Sequence, residues 1–277
     1  MSVIQQIKWF LSGLKSKENT SKLKPSALTS HQQIEAPPQH LMDMIGNGNY
    51  EQIGKTYLNY FKNLGHLQPG HRVLDIGCGV GRMAIPLTQY LDTHGSYEGF
   101  DIVKSLIDWC KENITPRFSN FHFRHADILN SSYNPFGKQK GEKYRFGFPD
   151  VDFDFIFLTS VFTHMMPAEM EQYISEIERT LKPGGRCLVT YFMLNESVYP
   201  LIENKKSTFD FNFQLEGCRI QDPAIPEAVV AFEETNLRAL FIKHSLQVDS
   251  IHYGSWSGRS DYFDFQDIIV LKKPFNS

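Results

Sequence analysis

Three glycines at alternate positions form the segment of this sequence best suited to binding a ligand. Gly77, Gly79 and Gly81 follow the apolar run of residues 72–76, which predicts a buried strand. Because glycine has no Cβ atom, its backbone can turn tightly and approach a ligand closely. A helix is predicted directly after the turn, and the amides at its N-terminus are available to donate hydrogen bonds. The segment therefore predicts a cofactor-binding turn between a strand and a helix.

The spacing of these glycines differs from that of nicotinamide and flavin enzymes. A dinucleotide turn has the pattern G-x-G-x-x-G, and here Arg82 stands where the third glycine would be. The sequence also lacks a Y-x-x-x-K segment, which supplies the active-site pair of the commonest short-chain dehydrogenases. A dinucleotide cofactor is therefore the less favoured interpretation of the turn.

The observed pattern, D-x-G-x-G-x-G over residues 75–81, resembles the first motif of class I S-adenosylmethionine-dependent methyltransferases. The resemblance implies that S-adenosylmethionine is the cofactor and that S-adenosylhomocysteine is its product. It also implies that the cofactor is held by residues in and just before the turn, namely Asp75, Gly77, Cys78, Gly79 and Gly81. Asp75 precedes the turn, so we expect it to orient backbone amides more than to contact the cofactor directly.

Further residues match the family pattern in order along the chain. Asp101 ends the second predicted strand, where a carboxylate can accept hydrogen bonds from both ribose hydroxyls. Asp127 follows the third strand, where family members present a carboxylate to the adenine amino group, and Ile102 and Ile128 would enclose the adenine. Ser160 lies in the family's motif after the fourth strand, beside the methionine part of the cofactor. The alternative for both acids is a role as solvent-exposed caps of strand ends.

Short apolar strands alternate with helical patterns along the chain, which indicates an α/β fold. We predict a Rossmann-like, doubly wound sheet of seven strands, mostly parallel with the last strand antiparallel, and ligands at the carboxyl ends of the strands. Strands are predicted at residues 72–76, 96–102, 121–126, 153–158, 186–192, 247–253 and 266–271. Helices are predicted at residues 51–64, 82–91, 105–113, 168–181 and 227–246.

The chain is predicted to have an N-terminal extension and one catalytic domain. Residues 1–40 combine an amphipathic helix (residues 1–17) with a linker rich in Ser, Lys, Gln and Pro. That helix is expected either to pack on the domain or another subunit, or to make peripheral contact with a membrane surface. Residues 41–277 form the methyltransferase domain, with an aromatic-rich insertion at about 193–226 as a cap over the cofactor.

His164 is the candidate catalytic residue. The sulfonium of the cofactor makes its methyl group electrophilic, so the enzyme must align the acceptor in line with it and exclude water. A hydroxyl acceptor also needs a base, and histidine, with an ordinary pKa of about 6.5, suits that role near neutral pH. His164 would lie just beyond the fourth strand; its alternative role is to cap or pack against the next helix. Tyr191, Trp256 and Tyr262 are weaker candidates for the acceptor pocket and could equally belong to the core.

Composition and charge limit the class of acceptor and the cellular setting. The 277 residues carry 28 basic and 31 acidic side chains, a net charge of -3, so no large nucleic-acid footprint is expected. The four cysteines are widely spaced, and no His/Cys/Asp cluster has metal-ligand spacing, which favours a reduced, cytoplasmic protein without a metal. Residues 158–161 read Leu-Thr-Ser-Val, not the Asn/Asp-Pro-Pro-aromatic motif of enzymes that methylate adenine or amide nitrogens.

The sequence therefore favours methylation of a hydroxyl on a small molecule or glycan. Two alternatives remain: a non-catalytic S-adenosylmethionine-binding or scaffold protein with the same fold, and an enzyme that uses the same cofactor to transfer another group. Nothing in the sequence predicts the oligomeric state.

Overall fold

The computed structural model describes residues 34–46 and 48–275. The predicted amphipathic helix of residues 1–17 and most of the linker after it lie outside the described residues. None of the helices within the described ranges has the length and hydropathy needed to cross a bilayer.

Eleven strands and seven α-helices make up the described part of the chain. The strands are β1 (Arg72–Ile76), β2 (Ser96–Asp101), β3 (Phe121–His125), β4 (Phe153–Leu158), β5 (Leu181–Tyr191), β6 (Met193–Leu194), β7 (Phe213–Leu215), β8 (Cys218–Ile220), β9 (Val230–Glu233), β10 (Gln247–His252) and β11 (Asp267–Lys272). The helices are α1 (Gln39–Met42), α2 (Tyr50–Asn63), α3 (Ala84–Leu87), α4 (Lys104–Asn113), α5 (Pro167–Thr180), α6 (Tyr199–Glu203) and α7 (Glu234–Lys243).

The central sheet contains seven strands in the order β10-β11-β5-β4-β1-β2-β3. Strand β11 runs antiparallel to both of its neighbours, and the remaining pairs are parallel. The predicted Rossmann-like fold with an antiparallel last strand is therefore confirmed. The chain goes from β1 outward to β2 and β3, and then returns to β4 on the other side of β1. Ligands bind at such a reversal of strand order, outside the carboxyl ends of the strands.

Helices cover both faces of this sheet because its inner strands are apolar on both sides. Along β4, Phe155 and Phe157 pack against Phe61 of α2 on one face, with ring centroids 5.4 and 4.2 Å from that of Phe61. Ile156 belongs to the hydrophobic cluster on the other face, with Ile174 of α5. A continuous apolar run is the expected sequence of a strand buried on both faces.

Helix α3 is shorter than the predicted helix of residues 82–91. It spans four residues, because the turn that follows β1 extends to Met83 and Pro86 cannot donate a backbone hydrogen bond. Single turns continue the segment: the Leu91 amide donates to the carbonyl of Leu87 at 2.9 Å. The glycine turn leads directly into this helix, because the Ile85 amide donates to the Gly81 carbonyl at 3.0 Å.

The predicted helix of residues 227–246 is wrong over its first third. Residues 226–228 form a single 3-10 turn, β9 follows, and helix α7 begins only at Glu234. Val230, Ala231 and Phe232 are all buried, and β9 pairs with β6 and β8. This pairing, which depends on residues distant in sequence, overrides the local helical pattern.

A second sheet has four strands, three of which come from the predicted insertion. Its order is β6-β9-β8-β7, and β6 begins two residues after the carboxyl end of β5. The second sheet therefore lies at the edge of the central sheet where the parallel strands end. An aromatic cluster that includes Phe192, Phe209, Phe211 and Trp256 packs against strands β6 and β9 of this second sheet.

Asp267, at the start of β11, joins this insertion to the central sheet. Its buried carboxylate accepts hydrogen bonds from the amides of Met193 and Gly254 and from Trp256 Nε1, each at 2.7 Å. Burial raises the pKa of Asp267 to about 6, while these three donors favour its charged form. Trp256 and Tyr191 are both fully buried, so the structure places them in the core, whereas Tyr262 is 42% exposed.

Candidate active site

The glycine turn adopts a backbone that other residues rarely adopt. Gly77, Gly79 and Gly81 have φ values of +78°, +54° and +76°. A Cβ atom at Gly77 would lie 2.4 Å from Val161 Cγ2, and one at Gly79 would lie 2.7 Å from Ile45 Cγ2. Both the left-handed backbone and the close neighbours therefore require glycine at these two positions.

Asp101, at the carboxyl end of β2, holds the turn in place. Its Oδ2 accepts a hydrogen bond from the Gly79 amide at 2.8 Å, and its Oδ1 accepts one from the Val103 amide at 2.8 Å. Burial raises the pKa of Asp101, and these backbone amides oppose the shift because they stabilise the carboxylate. A carboxylate offers about four lone-pair positions, so it can still accept two further hydrogen bonds from a ligand.

Asp75 points into the protein interior. The Tyr97 hydroxyl donates to its Oδ2 at 2.6 Å, and its buried Oδ1 has no hydrogen-bond partner among the described residues. Burial raises the pKa of Asp75 to about 8, so the carboxyl group is mostly neutral at pH 7. This geometry favours the predicted supporting role of Asp75 over direct contact with a ligand.

The elevated pKa of Asp75 gives a testable pH dependence of stability. The folded protein keeps the proton up to a pH of about 8, whereas an unfolded carboxyl releases it near 3.8. Wild-type unfolding free energy should therefore fall over this interval, by up to about 1.4 kcal/mol per pH unit. Asp75→Asn has no proton to release, so its stability relative to wild type should increase from about pH 5 to about pH 8 in urea titrations. A difference that is constant with pH would mean that Asp75 is charged in the folded protein.

The ends of β1, β2 and β3 bring the predicted cofactor residues to one edge. Parallel pairing places Ile76 opposite Phe100, and Asp101 opposite His125. Asp127 therefore follows β3 beside Asp101, and its side chain remains about one-third exposed, with Lys138 Nζ 3.8 Å from its Oδ2.

Two isoleucines lie beside these acids. Ile128 is buried, and Ile102 is half-buried against a small apolar cluster that includes Val80 and Leu106. A flat apolar ring could pack between such side chains while the carboxylates bind its polar edges. The residues present therefore fit an adenosyl group.

The segment before α2 covers this turn, a feature the sequence analysis missed. The Tyr50 hydroxyl donates to the Val80 carbonyl at 2.8 Å, and Arg82 Nη2 donates to the Ile45 carbonyl at 3.1 Å. Ile45 itself packs over Gly79. These contacts join residues 30 or more apart in sequence, so the local sequence pattern does not predict them. Arg82 directly follows the glycine motif, and its position there was the one sequence feature that pointed to this region.

Two of the other predicted cofactor residues are already engaged within the protein. Ser160 has a φ of +59°, its amide donates to Thr190 Oγ1 at 2.8 Å, and its hydroxyl donates to Gln266 Oε1 at 3.0 Å. A positive φ is uncommon for serine, and such strained residues concentrate at functional sites. The Cys78 thiol is buried and donates to the Gly79 carbonyl at 3.8 Å, and burial raises its pKa well above the ordinary range, which favours the protonated thiol over the thiolate.

His164 ends a 3-10 turn (Phe162–His164) beyond the carboxyl end of β4. Its Nδ1 lies 3.1 Å from the carbonyl oxygen of Glu227. A carbonyl can only accept, so Nδ1 carries the proton, and Nε2 is the unprotonated nitrogen of the neutral ring. Burial lowers the pKa of His164, whereas the carbonyls of Glu227 and Ala228 oppose this shift. The imidazole is therefore neutral at pH 7, in the tautomer that can accept a proton at Nε2.

The geometry places His164 near the glycine turn, because Val161, three residues earlier, packs against Gly77. Within residues 34–46 and 48–275, no group of His, Cys, Asp and Glu side chains is arranged to hold a metal ion. The site thus combines a cradle for an adenosyl group with one neutral imidazole.

Comparison with known proteins gives the family. The family model described as "Methyltransferase domain" matches residues 67–228, more than half of the chain and all of β1 to β8. The chain belongs to the S-adenosylmethionine-dependent methyltransferases. Its cofactor is S-adenosylmethionine, so the predicted family, enzyme class and cofactor are confirmed, and the dinucleotide interpretation of the glycine turn is wrong.

Two curated relatives match this methyltransferase at moderate identity. Phosphoethanolamine N-methyltransferase 3 of Arabidopsis thaliana is 26% identical over 82% of this chain and 43% of its own length. Demethylmenaquinone methyltransferase of Staphylococcus haemolyticus is 27% identical over 62% of this chain and 64% of its own length. This chain therefore spans less than two thirds of each of these relatives.

Solved structures show the same fold. A SAM-dependent methyltransferase from Methanosarcina mazei superposes with a TM-score of 0.51 at 21% identity, covering 80% of this chain and 98% of that one. Because the identity is low, this similarity establishes the architecture, and the roles of individual side chains depend on the geometry described above.

Proposed function

We propose that this methyltransferase transfers a methyl group to a hydroxyl of a small-molecule or glycan acceptor by in-line displacement, with His164 as general base. The observation that carries this proposal is the hydrogen bond between His164 Nδ1 and the Glu227 carbonyl. It fixes the tautomer in which Nε2 can accept a proton, and burial keeps the imidazole neutral at pH 7.

One set of residues binds the cofactor, and His164 activates the acceptor. When bound, S-adenosylmethionine supplies an electrophilic methyl group. Gly77, Gly79 and Asp101 hold and orient the adenosyl part, and Asp127 binds the edge of the adenine. His164 Nε2 takes the hydroxyl proton as the acceptor oxygen attacks, and later releases it to solvent.

The second sheet supports a role for residues 193–226 as a cap over the acceptor. It follows directly from the carboxyl end of β5, and the 3-10 turn between its strands β8 and β9 contacts His164 through Glu227. An element that touches the base from the side of the acceptor can exclude water and shape the pocket.

Two of the curated relatives also support a small acceptor. The names of the two curated relatives specify phosphoethanolamine and demethylmenaquinone, which are both small molecules. The near-balanced charge of the chain likewise favours a small acceptor over a nucleic acid.

A mass-spectrometric screen tests this function. The protein, S-adenosylmethionine and a panel of small-molecule and glycan alcohols, with matched amines, are incubated and analysed for a gain of one CH₂ unit. We expect modification of an alcohol, with the methyl group on oxygen by fragmentation, and no product from the Asp101→Ala control. Methylation of nitrogen or carbon alone would contradict the hydroxyl acceptor. Cofactor binding without turnover of any alcohol in the panel would also contradict the proposed class of acceptor.

A further inference from the structure

Three segments distant in sequence converge on the imidazole of His164. The Tyr133 ring meets it edge to face, with ring centroids 5.7 Å apart and planes at 70°. In the turn of residues 226–228, the Glu227 carbonyl accepts a hydrogen bond from the imidazole Nδ1 at 3.1 Å. His164 itself belongs to the turn after β4, so its orientation depends on how the other two segments are held.

The carboxylate of Glu227 links these two segments to each other. Its Oε2 accepts hydrogen bonds from the Ser131 amide at 3.0 Å and from the Ser131 hydroxyl at 2.5 Å. Asn130 shapes the loop that presents Ser131, because its buried Oδ1 accepts from the amides of Ser132 and Tyr133 at 3.1 and 3.0 Å. One five-residue loop therefore supplies both the donors for Glu227 and the ring beside His164.

We infer that Glu227 and Ser131 are positioning residues that fix the tautomer and orientation of His164, an inference that rests on the proposed base role. Glu227 acts in two ways. Its backbone carbonyl accepts from Nδ1, and its side chain anchors that carbonyl to the Ser131 loop. The nitrogen that carries the proton in a neutral imidazole is set by the hydrogen bond of the other nitrogen, so this anchor decides whether Nε2 can act as a base.

The charged and titratable groups around the imidazole are few. The carboxylate of Glu227 faces it from the 226–228 turn and favours the imidazolium, and the Tyr133 ring faces it from the 130–134 loop. Glu169 of α5 lies near Glu227, and together with burial that neighbour raises the pKa of Glu169. Removing the charge of Glu227 should therefore lower the pKa of His164 further.

Nitrogen NMR of the histidine rings tests this inference without an identified acceptor. The full chain, labelled with ¹⁵N-histidine and saturated with S-adenosylhomocysteine, is titrated with acid as wild type, Glu227→Gln and Ser131→Ala. The His164 signals are assigned from a His164→Gln spectrum. Glu216→Gln, a charge removal at an exposed position between β7 and β8, is the matched control.

We expect the wild-type ring to be protonated at Nδ1. Glu227→Gln should shift the His164 titration to lower pH, and Ser131→Ala should distribute the proton over both nitrogens, while the control matches wild type.

Once an acceptor is identified, both variants should lose roughly tenfold in kcat, with little change in the KM for S-adenosylmethionine. Wild-type tautomer and titration in both variants would overturn the inference. Full turnover by His164→Gln would instead remove the base role, and the NMR result would still decide whether the imidazole is positioned by these residues.

Discussion

Asp101→Ala is expected to weaken S-adenosylmethionine binding by roughly 100-fold or more. The carboxylate accepts hydrogen bonds from the Gly79 and Val103 amides, and by our proposal it also binds the ribose hydroxyls. A hydrogen bond to a charged group contributes about 1.5–3 kcal/mol, so loss of the two ribose contacts alone corresponds to this factor. The glycine turn also loses its anchor, which should add to the effect. Titration calorimetry with S-adenosylmethionine and S-adenosylhomocysteine measures the change.

Two further variants make this result interpretable. Asp101→Asn keeps the shape of the side chain but presents its NH₂ group to an amide donor, so it should also bind weakly. Asp108→Ala removes an exposed acid from α4, where it pairs with Lys104, and should bind the cofactor as wild type does. Unchanged affinity in a folded Asp101→Ala protein would remove this residue from the cofactor site and leave it as a cap of the strand end.

His164→Ala is expected to lower kcat by roughly 100-fold or more and to leave cofactor affinity nearly unchanged. General base catalysis contributes about 10²–10⁴-fold, and His164 contacts the acceptor, not the adenosyl cradle, in our proposal. His122→Ala, at an exposed histidine on β3, is the matched control and should keep wild-type turnover.

The pH profile of wild-type kcat should carry the signature of the same group. The neutral imidazole is the active form, so kcat should rise with pH as His164 loses its proton. Because burial lowers the pKa of His164 below the ordinary 6.5, the midpoint of this rise should lie below 6.5 and the plateau should be reached by neutral pH. Turnover by His164→Ala with the wild-type rate and pH profile would show that proton removal needs no base from this position.

The central sheet could be predicted from the sequence because its strands carry their signal locally. Residues 72–76 and 153–158 are mostly apolar and are flanked by turn residues, and the structure has strands with these bounds. By contrast, residues 227–246 form a helical pattern whose first part becomes β9. The pairing partners of β9 lie outside that window, in β6 and β8, so no local periodicity could show them.

The residues proposed to bind the cofactor were more predictable than the contacts proposed around the acceptor, for the same reason. The glycines and Asp127 follow strand ends and Asp101 is the last residue of β2, so strand alternation alone brings them to one edge of the sheet. The contacts of His164 instead join residues 63 positions apart, and Ser131 and Glu227 are 96 apart. Such contacts are determined by how the loops fold over the sheet, and neither residue type nor spacing indicates them.

The central claim is that the turn after β1, with carboxylates at residues 101 and 127, holds the adenosyl part of the cofactor. A crystal structure of the full chain with S-adenosylhomocysteine tests it most directly. We expect both ribose hydroxyls within hydrogen-bond distance of Asp101, the adenine amino group next to Asp127, and the cofactor sulfur on the side of His164. A ligand that is bound elsewhere, or bound with its ribose turned away from Asp101, would contradict this account.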